Sequence, residues 1–212
     1  MKPILFNTNM VRAILEGRKT VTRRVVKFKL GQNPQWTGYI PDGPVLYGSN
    51  NIPASKSPYL PGDILYVRET WRVYEVGNPP PHCVIEYKAG GTEKFSKIIA
   101  LPTTKGEWKP SIHMPKEAAR LFLRVTDVRA ERLWRMDTVD ALAEGMRSDY
   151  PGTKIGVVDA FCKLWDSTIK PADLPLYGWE ANPWVWVIDF EHISKEAALK
   201  GGDLPENRTD RR

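Results

Sequence analysis

The sequence predicts an α+β fold, a mixed β-barrel with a few flanking helices and one long insertion. Three observations carry this expectation. Several short runs rich in β-branched and aromatic residues, bounded by Gly and Pro turn signals, read as strands, among them Ile64 to Val76, Cys83 to Tyr87 and Trp184 to Phe190. One run, from Leu121 to Leu133, alternates long enough to coil around a core as barrel strands do. Helical spacing is confined to brief stretches near residues 8–16, 116–120, 137–145 and 153–169.

With 212 residues, 42% of them hydrophobic and 10% aromatic, the chain can bury one substantial core. Residues 1–193 are therefore expected to form a single domain. Residues 194–212 are polar and lack any apolar period, so they read as a disordered tail. No apolar run reaches the length of a membrane span and no leader pattern is present, which predicts a soluble cytoplasmic protein. Cys83 and Cys162 lack His or Cys partners at metal-ligand spacing and read as buried thiols, so neither metal nor cofactor is expected. A formal charge of +6 and a pI near 9.3 are compatible with an RNA or DNA partner, although the excess is modest for binding by charge alone. There is no internal repeat and no phosphate-cradling glycine loop.

From the N-terminus, Thr8 to Glu16 places Met10, Val11, Ile14 and Leu15 on one helical face, with Asn7 or Thr8 as N-cap and Gly17 as the left-handed stop. Thr20, Val21, Thr22, Val25 and Val26 read as a strand, which puts Lys19 at the corner between helix and strand. Arg18, Lys19, Arg23 and Arg24 crowd this corner, and neighbouring cations disfavour a charged lysine. A neutral lysine can take the proton of a threonine hydroxyl, and Thr22 stands three residues on. Positions three apart face opposite ways in a regular strand, so Lys19 and Thr22 meet only if the chain turns sharply near Thr20. The competing reading is a solvated basic strand edge.

Residues 27–61, rich in Pro, Gly, Asn and Ser, read as a long insertion, an ordered loop or small hairpin. Its Trp36, Tyr39 and Tyr47 either stack on a base or pin the insertion to the domain. In the strands that follow the Pro61-Gly62 turn, Glu69 and Trp71 share a face and suit a nucleobase. Equally, they form a carboxylate paired with Arg68 or Arg72 beside a core Trp. After Pro79-Pro80-Pro81, Cys83 to Tyr87, a Gly90-Gly91 turn and Lys94 to Ala100 make a hairpin, and Thr103 to Gly106 is a polar turn. Pro115 keeps Met114 extended and starts the short helix at Lys116, with His113 either structural or part of a site. Asp137 or Thr138 caps a helix that ends at Gly145, with Glu144 in its last turn. Ile155, Val158, Phe161, Cys162 and Trp165 form the core stripe of the next helix. A loop holding Pro171, Pro175 and Tyr177-Gly178-Trp179 leads to the closing strand at Trp184 to Phe190.

Gly17-x-Lys19-x-x-Thr22-x-Arg24 resembles the signature of the ASCH family, a branch of the PUA-like β-barrels, whose usual form is G-x-K-x-x-E-x-R. Thr22 replaces the common Glu, as in a subgroup similar to small bacterial amidohydrolases that cleave N4-acylated cytidines with a Lys, a Thr and a downstream Glu. By position, that Glu corresponds to Glu144. Pro61 to Trp71, Trp108 to Pro115 and Asn182 to Ile188 are similar to stretches of larger phage and prophage ASCH proteins. The resemblance implies a catalytic set of Lys19, Thr22 and Glu144. Arg24, Glu69, Trp71, Ser111 and His113 are the candidate substrate-binding residues.

Two functions follow as expectations. In one, Lys19 deprotonates Thr22, Thr22 attacks an N4-acyl carbonyl and Glu144 serves the leaving amine. In the other, a non-catalytic module reads a modified nucleobase in RNA or DNA, with Lys19 and Arg24 on phosphate and Trp71 stacking.

Overall fold

The computed structural model describes residues 1–28, 34–40, 43–48, 53–77, 82–95, 106–148, 153 and 155–201. Its strands are β1 (Lys2–Leu5), β2 (Val21–Val25), β3 (Pro34–Ile40), β4 (Gly43–Gly48), β5 (Pro53–Lys56), β6 (Ile64–Arg68), β7 (Trp71–Gly77), β8 (His82–Tyr87), β9 (Thr92–Phe95), β10 (Phe122–Arg132) and β11 (Trp184–Ile193). The α-helices are α1 (Thr8–Leu15), α2 (Thr138–Ala143), α3 (Val157–Thr168), α4 (Leu174–Tyr177) and α5 (Lys195–Gly201). The fold is mixed α+β, mostly strands in sheets with few helices. No described helix is long and apolar enough to cross a membrane.

The chain divides into two compact units. The first comprises residues 1–11, 63–124 and 192–212. In it β1 runs parallel to β6, and β6 pairs antiparallel with Phe122, Leu123 and Arg124 at the start of β10. The β7-β8-β9 meander turns through Gly90 and Gly91, and β8 pairs with β9 from Cys83 opposite Phe95 to Glu86 opposite Thr92. The two turn glycines supply the positive φ that this tight connection needs. Trp71, Val73, Ile85, Tyr87, Met114, Ala118 and Phe122 form the buried apolar cluster.

Ala198 of α5 belongs to the same cluster, which corrects the disordered-tail expectation for residues 195–201. Lys195-Glu196-Ala197-Ala198-Leu199-Lys200 is built of strong helix formers. The one small residue it buries needs no apolar stripe to find a place in the core. Ser194 caps the helix through its hydroxyl, which accepts from the Ala197 N–H at 3.1 Å.

The second unit comprises residues 12–62 and 125–191. Here β11 lies between β10 and β2, with Ile188 opposite Thr22 and Trp186 opposite Arg24. Val21, Val185 and Val187 pack with Leu133, Ala141, Val157, Phe161 and Trp165 from the segments that cover this sheet. Trp179 meets the Phe161 ring edge-on, with centroids 6.3 Å apart. Helix α3 starts only after Gly156, so Ile155, expected in its core stripe, is 63% exposed. Cys162 is half-buried, whereas Cys83 in the first unit is fully buried.

Among the described residues of the 27–61 insertion, β3, β4 and β5 form an antiparallel three-stranded sheet, one strand more than the expected small hairpin, and Val45 and Leu46 are buried. The side chains of Trp36 and Tyr39, Pro79-Pro80-Pro81, the hairpin extension at 96–100, the first residues of the 103–106 turn and the tail at 202–212 lie outside the described residues.

Candidate functional site

The site is built by two helix ends in the second unit. Helix α1 ends in a Schellman motif: Gly17 N–H bonds to the Ile14 carbonyl at 3.0 Å and Arg18 N–H to that of Ala13 at 2.9 Å. Helix α2 ends the same way, with Gly145 N–H on Leu142 at 2.8 Å and Met146 N–H on Ala141 at 3.1 Å. Gly17 and Gly145 have φ of 71° and 92°, the left-handed conformation this cap requires. Each cap stops its helix sharply, and the two stops face each other. Lys19 and Glu144 form an isolated antiparallel bridge, Thr20 N–H donates to the Ala143 carbonyl at 2.9 Å, and the Arg18 guanidinium donates to the Gly145 carbonyl.

This seam fixes the Lys19 side chain. Its Nζ donates to Glu144 Oε2 at 2.5 Å, to the Glu144 carbonyl at 3.1 Å and to the Val21 carbonyl at 2.8 Å. An ammonium has three protons, and three acceptors lie in place for them. Both side chains are buried. Burial pushes the Lys19 ammonium below the ordinary lysine range, against the pull of the Glu144 carboxylate, and the Arg23 and Arg24 charges push the same way as burial.

Strand β2 carries the remaining groups. Thr22 and Arg24 occupy one face by alternation, Val21 and Arg23 the other. Thr22 is buried and Arg24 half-buried. The hydrogen bonds of the Lys19 amine given above run to Val21 and Glu144, none of them to Thr22. Arg23, also buried, places Nη1 3.3 Å from Glu144 Oε1 and Nη2 3.0 Å from an Asp140 carboxylate oxygen, with Glu131 at 4.0 Å. The angle at Nη2 is poor enough that this atom makes no hydrogen bond, so the Asp140 contact is an ion pair only.

Glu69, Trp71, Ser111 and His113 belong to the first unit. Glu69 is buried and both its oxygens are taken by Arg120, whose Nε and Nη2 lie 2.9 and 3.0 Å away. The same guanidinium stacks 4.0 Å from the centre of the Tyr87 ring and donates to the Gly90 carbonyl at 2.7 Å. Trp71 is wholly buried in the apolar cluster. The reading of this pair as base contacts is therefore corrected. The carboxylate is spent on a fork from the opposite segment, and the indole presents no open face. Ser111 and His113 sit on a single 3-10 turn between Pro110 and Pro115, half-buried and exposed respectively, and Arg68 holds that turn through the carbonyls of Ile112 and Met114.

No family model, curated protein or solved structure matches this chain.

Arg23 and Asp140 escaped the sequence reading. In the sequence Arg23 reads only as one more cation of a basic run, and Asp140 is not singled out. Asp137 and Asp140 do form a capping box, with the Asp137 carboxylate accepting from the Asp140 N–H at 2.8 Å and Asp140 from the Asp137 N–H at 3.4 Å. The available signal was the spacing of Asp140 and Glu144. Carboxylates four apart repel on one helix face unless a cation sits between them, and Arg23 is that cation.

Proposed function

We propose that the chain is an ASCH-like protein with a PUA-like barrel that acts in the cytoplasm on a modified pyrimidine nucleoside, hydrolysing the amide of an N4-acylated cytidine. The observation that carries this reading is the buried Lys19–Glu144 pair, 2.5 Å between Nζ and Oε2, in the same unit as the buried hydroxyl of Thr22. A direct hydrogen bond between two buried side chains gives a proton a route from ammonium to carboxylate. The resulting neutral amine is the base that Thr22 needs.

The steps balance without a co-reactant other than water. Lys19 passes a proton to Glu144 and then takes the proton of Thr22. The alkoxide attacks the acyl carbon, and collapse of the tetrahedral adduct breaks the C–N bond while Glu144 protonates N4. That step already leaves Lys19 charged and Glu144 ionised as at the start. Water then hydrolyses the acyl-threonine ester, its hydroxyl joining the acyl carbon and one of its protons passing through the Lys19–Glu144 pair to the departing Thr22 oxygen. Arg24, half-buried on the Thr22 face of β2, is the substrate-facing cation in this scheme.

The binding-module reading draws less support. Lys19, its phosphate ligand, already has three internal acceptors, and breaking them to reach a phosphate would strand Glu144 as a buried charge.

The test is acetate release from N4-acetylcytidine by the wild type, Lys19→Ala, Thr22→Ala and Glu144→Gln. Turnover by the wild type that falls by at least about 100-fold in each variant is expected, the usual scale for a lost nucleophile or proton carrier. Absence of turnover in the wild type, with salt-sensitive RNA or DNA binding that Lys19→Ala abolishes, would replace the enzyme by the binder.

A further inference from the structure

Glu144 has two carboxylate oxygens, and each has a different partner. Oε2 meets Lys19 and Oε1 meets Arg23. On its far side Arg23 forms an ion pair, without a hydrogen bond, with Asp140, whose own orientation is set by the capping box at the start of α2. The contacts continue outward: Glu131 lies 4.0 Å from Arg23 and accepts from Arg129 at 2.7 Å, and Arg129 also pairs with Asp189 and Asp127. Charges alternate in sign along this line, from the partly exposed Arg129 to the buried Lys19.

We propose that Arg23 and Asp140 are positioning residues for Glu144, a guanidinium anchored by one carboxylate so that it fixes the other and presents Oε2 to the Lys19 amine. The inference rests on the enzymatic reading of Lys19 and Glu144. A glutamate at the end of a helix has three side-chain torsions and would otherwise swing its carboxylate away from Nζ. Only a fork can do this work. One nitrogen arm reaches Glu144 and the other reaches Asp140, a span that a single ammonium at position 23 does not cover. The cost of burying this fork is otherwise hard to explain, since apolar residues of similar volume usually serve stability as well.

The charges facing Lys19 are Glu144 from α2 with Arg23 and Arg24 from β2. Those facing Arg23 are Glu131 from β10 with Asp140 and Glu144 from α2. Loss of the Arg23 charge therefore makes the Lys19 ammonium harder to deprotonate, and loss of the Asp140 charge makes it easier. A side chain that merely filled space would move neither.

The experiment follows the Lys19 titration by NMR of its Cε and Nζ in the full chain, with Lys19→Arg assigning the signal, and in parallel the pH profile of kcat on N4-acetylcytidine. Arg23→Gln should move the Lys19 titration upward in pH and lower kcat by roughly 10- to 100-fold with KM little changed, the scale of a misplaced catalytic group. Asp140→Asn keeps an oxygen for the helix cap and should move the titration downward, with kcat also reduced. Arg23→Lys should restore the titration but not kcat. If Arg23→Gln does not fold, the Asp140→Asn shift decides. A Lys19 titration unmoved in folded Arg23→Gln or Asp140→Asn overturns the inference, as does a shifted titration with kcat unchanged. Opposite shifts in a protein inactive on N4-acetylcytidine sustain the charge coupling and defeat only the choice of reaction.

Discussion

The Lys19 amine donates to both the main-chain carbonyl and the side-chain carboxylate of Glu144, at 3.1 and 2.5 Å. One residue thus meets the other with backbone and side chain at once. The arrangement is possible because each stands within two residues of a left-handed glycine that ends a helix. The pair is consequently as rigid as the two caps that present it.

The caps differ in how much room they leave. A Cβ at Gly17 would meet nothing within 4 Å, whereas one at Gly145 would lie 2.7 Å from Ala13 Cβ and 3.1 Å from Lys19 Cβ. Gly17→Ala should cost only the left-handed backbone term, roughly 1 kcal/mol. Gly145→Ala should cost a further ~1–3 kcal/mol from overpacking and should displace Lys19. Urea midpoints of the two variants measure the difference, and equal midpoints would refute the packing argument.

Lys19→Met removes the cation from beside a buried carboxylate. A destabilisation of roughly 3–5 kcal/mol is expected, and Lys19→Met with Glu144→Leu together should recover much of it. The pH dependence has a definite sign. The folded chain holds Lys19 below the 10.5 of a free lysine, so between the two values the unfolded chain binds the extra proton and unfolding becomes costlier as pH rises. Wild type should gain stability over Lys19→Met as pH is raised toward 10.5. Denaturation series at several alkaline pH values would show a flat or falling difference if Lys19 were solvated.

In the first unit, Arg120 holds Glu69 with two nitrogens while stacking on Tyr87. Arg120→Ala should cost roughly 3–5 kcal/mol, because a buried carboxylate is left alone. Arg120→Lys should rescue only a minor part, since an ammonium neither forks nor stacks in the same way. Burial raises the Glu69 carboxyl above 4.5 despite Arg120, so its contribution to stability is largest in acid and declines as pH rises through the folded value. Relative to Glu69→Gln, the wild type should therefore lose ground on going from acid to neutral pH, read from thermal melts of both proteins.

Helix α5 is a structural part of the first unit through Ala198. Ala198→Asp buries an unpaired charge there and should lower the melting temperature by many degrees, whereas Leu199→Asp, at a 54% exposed position, should change it little. Similar melts for the two variants would mean that the helix does not dock.

Local signals in the sequence reached far into this structure. A cap at Asn7 or Thr8, of which the structure uses Asn7, Gly17 and Gly145 as stops, the strands at 64–68, 83–87 and 184–190 and the Gly90-Gly91 turn all follow from propensity and period, which act over a few residues. Those signals also placed Lys19 at a corner. They misjudged α5 because a helix that buries a single alanine carries no apolar period, and they under-read the 27–61 insertion because proline and glycine there punctuate three short strands. Glu69 and Trp71 show the other limit: alternation put them on one face, but only long-range packing decided that this face is a core sealed by Arg120.

What the sequence alone determined is the set of local stops and turns, because these depend on φ preferences and capping groups contained within a single segment. The tertiary structure decided which of the many charges meet. Lys19, Arg23, Asp140 and Glu144 are separated by more than a hundred residues across the two segments, and nothing in either segment announces the other. Only the docking of two helix ends, permitted by a glycine with no Cβ to clash against Ala13, closes that distance to a hydrogen bond.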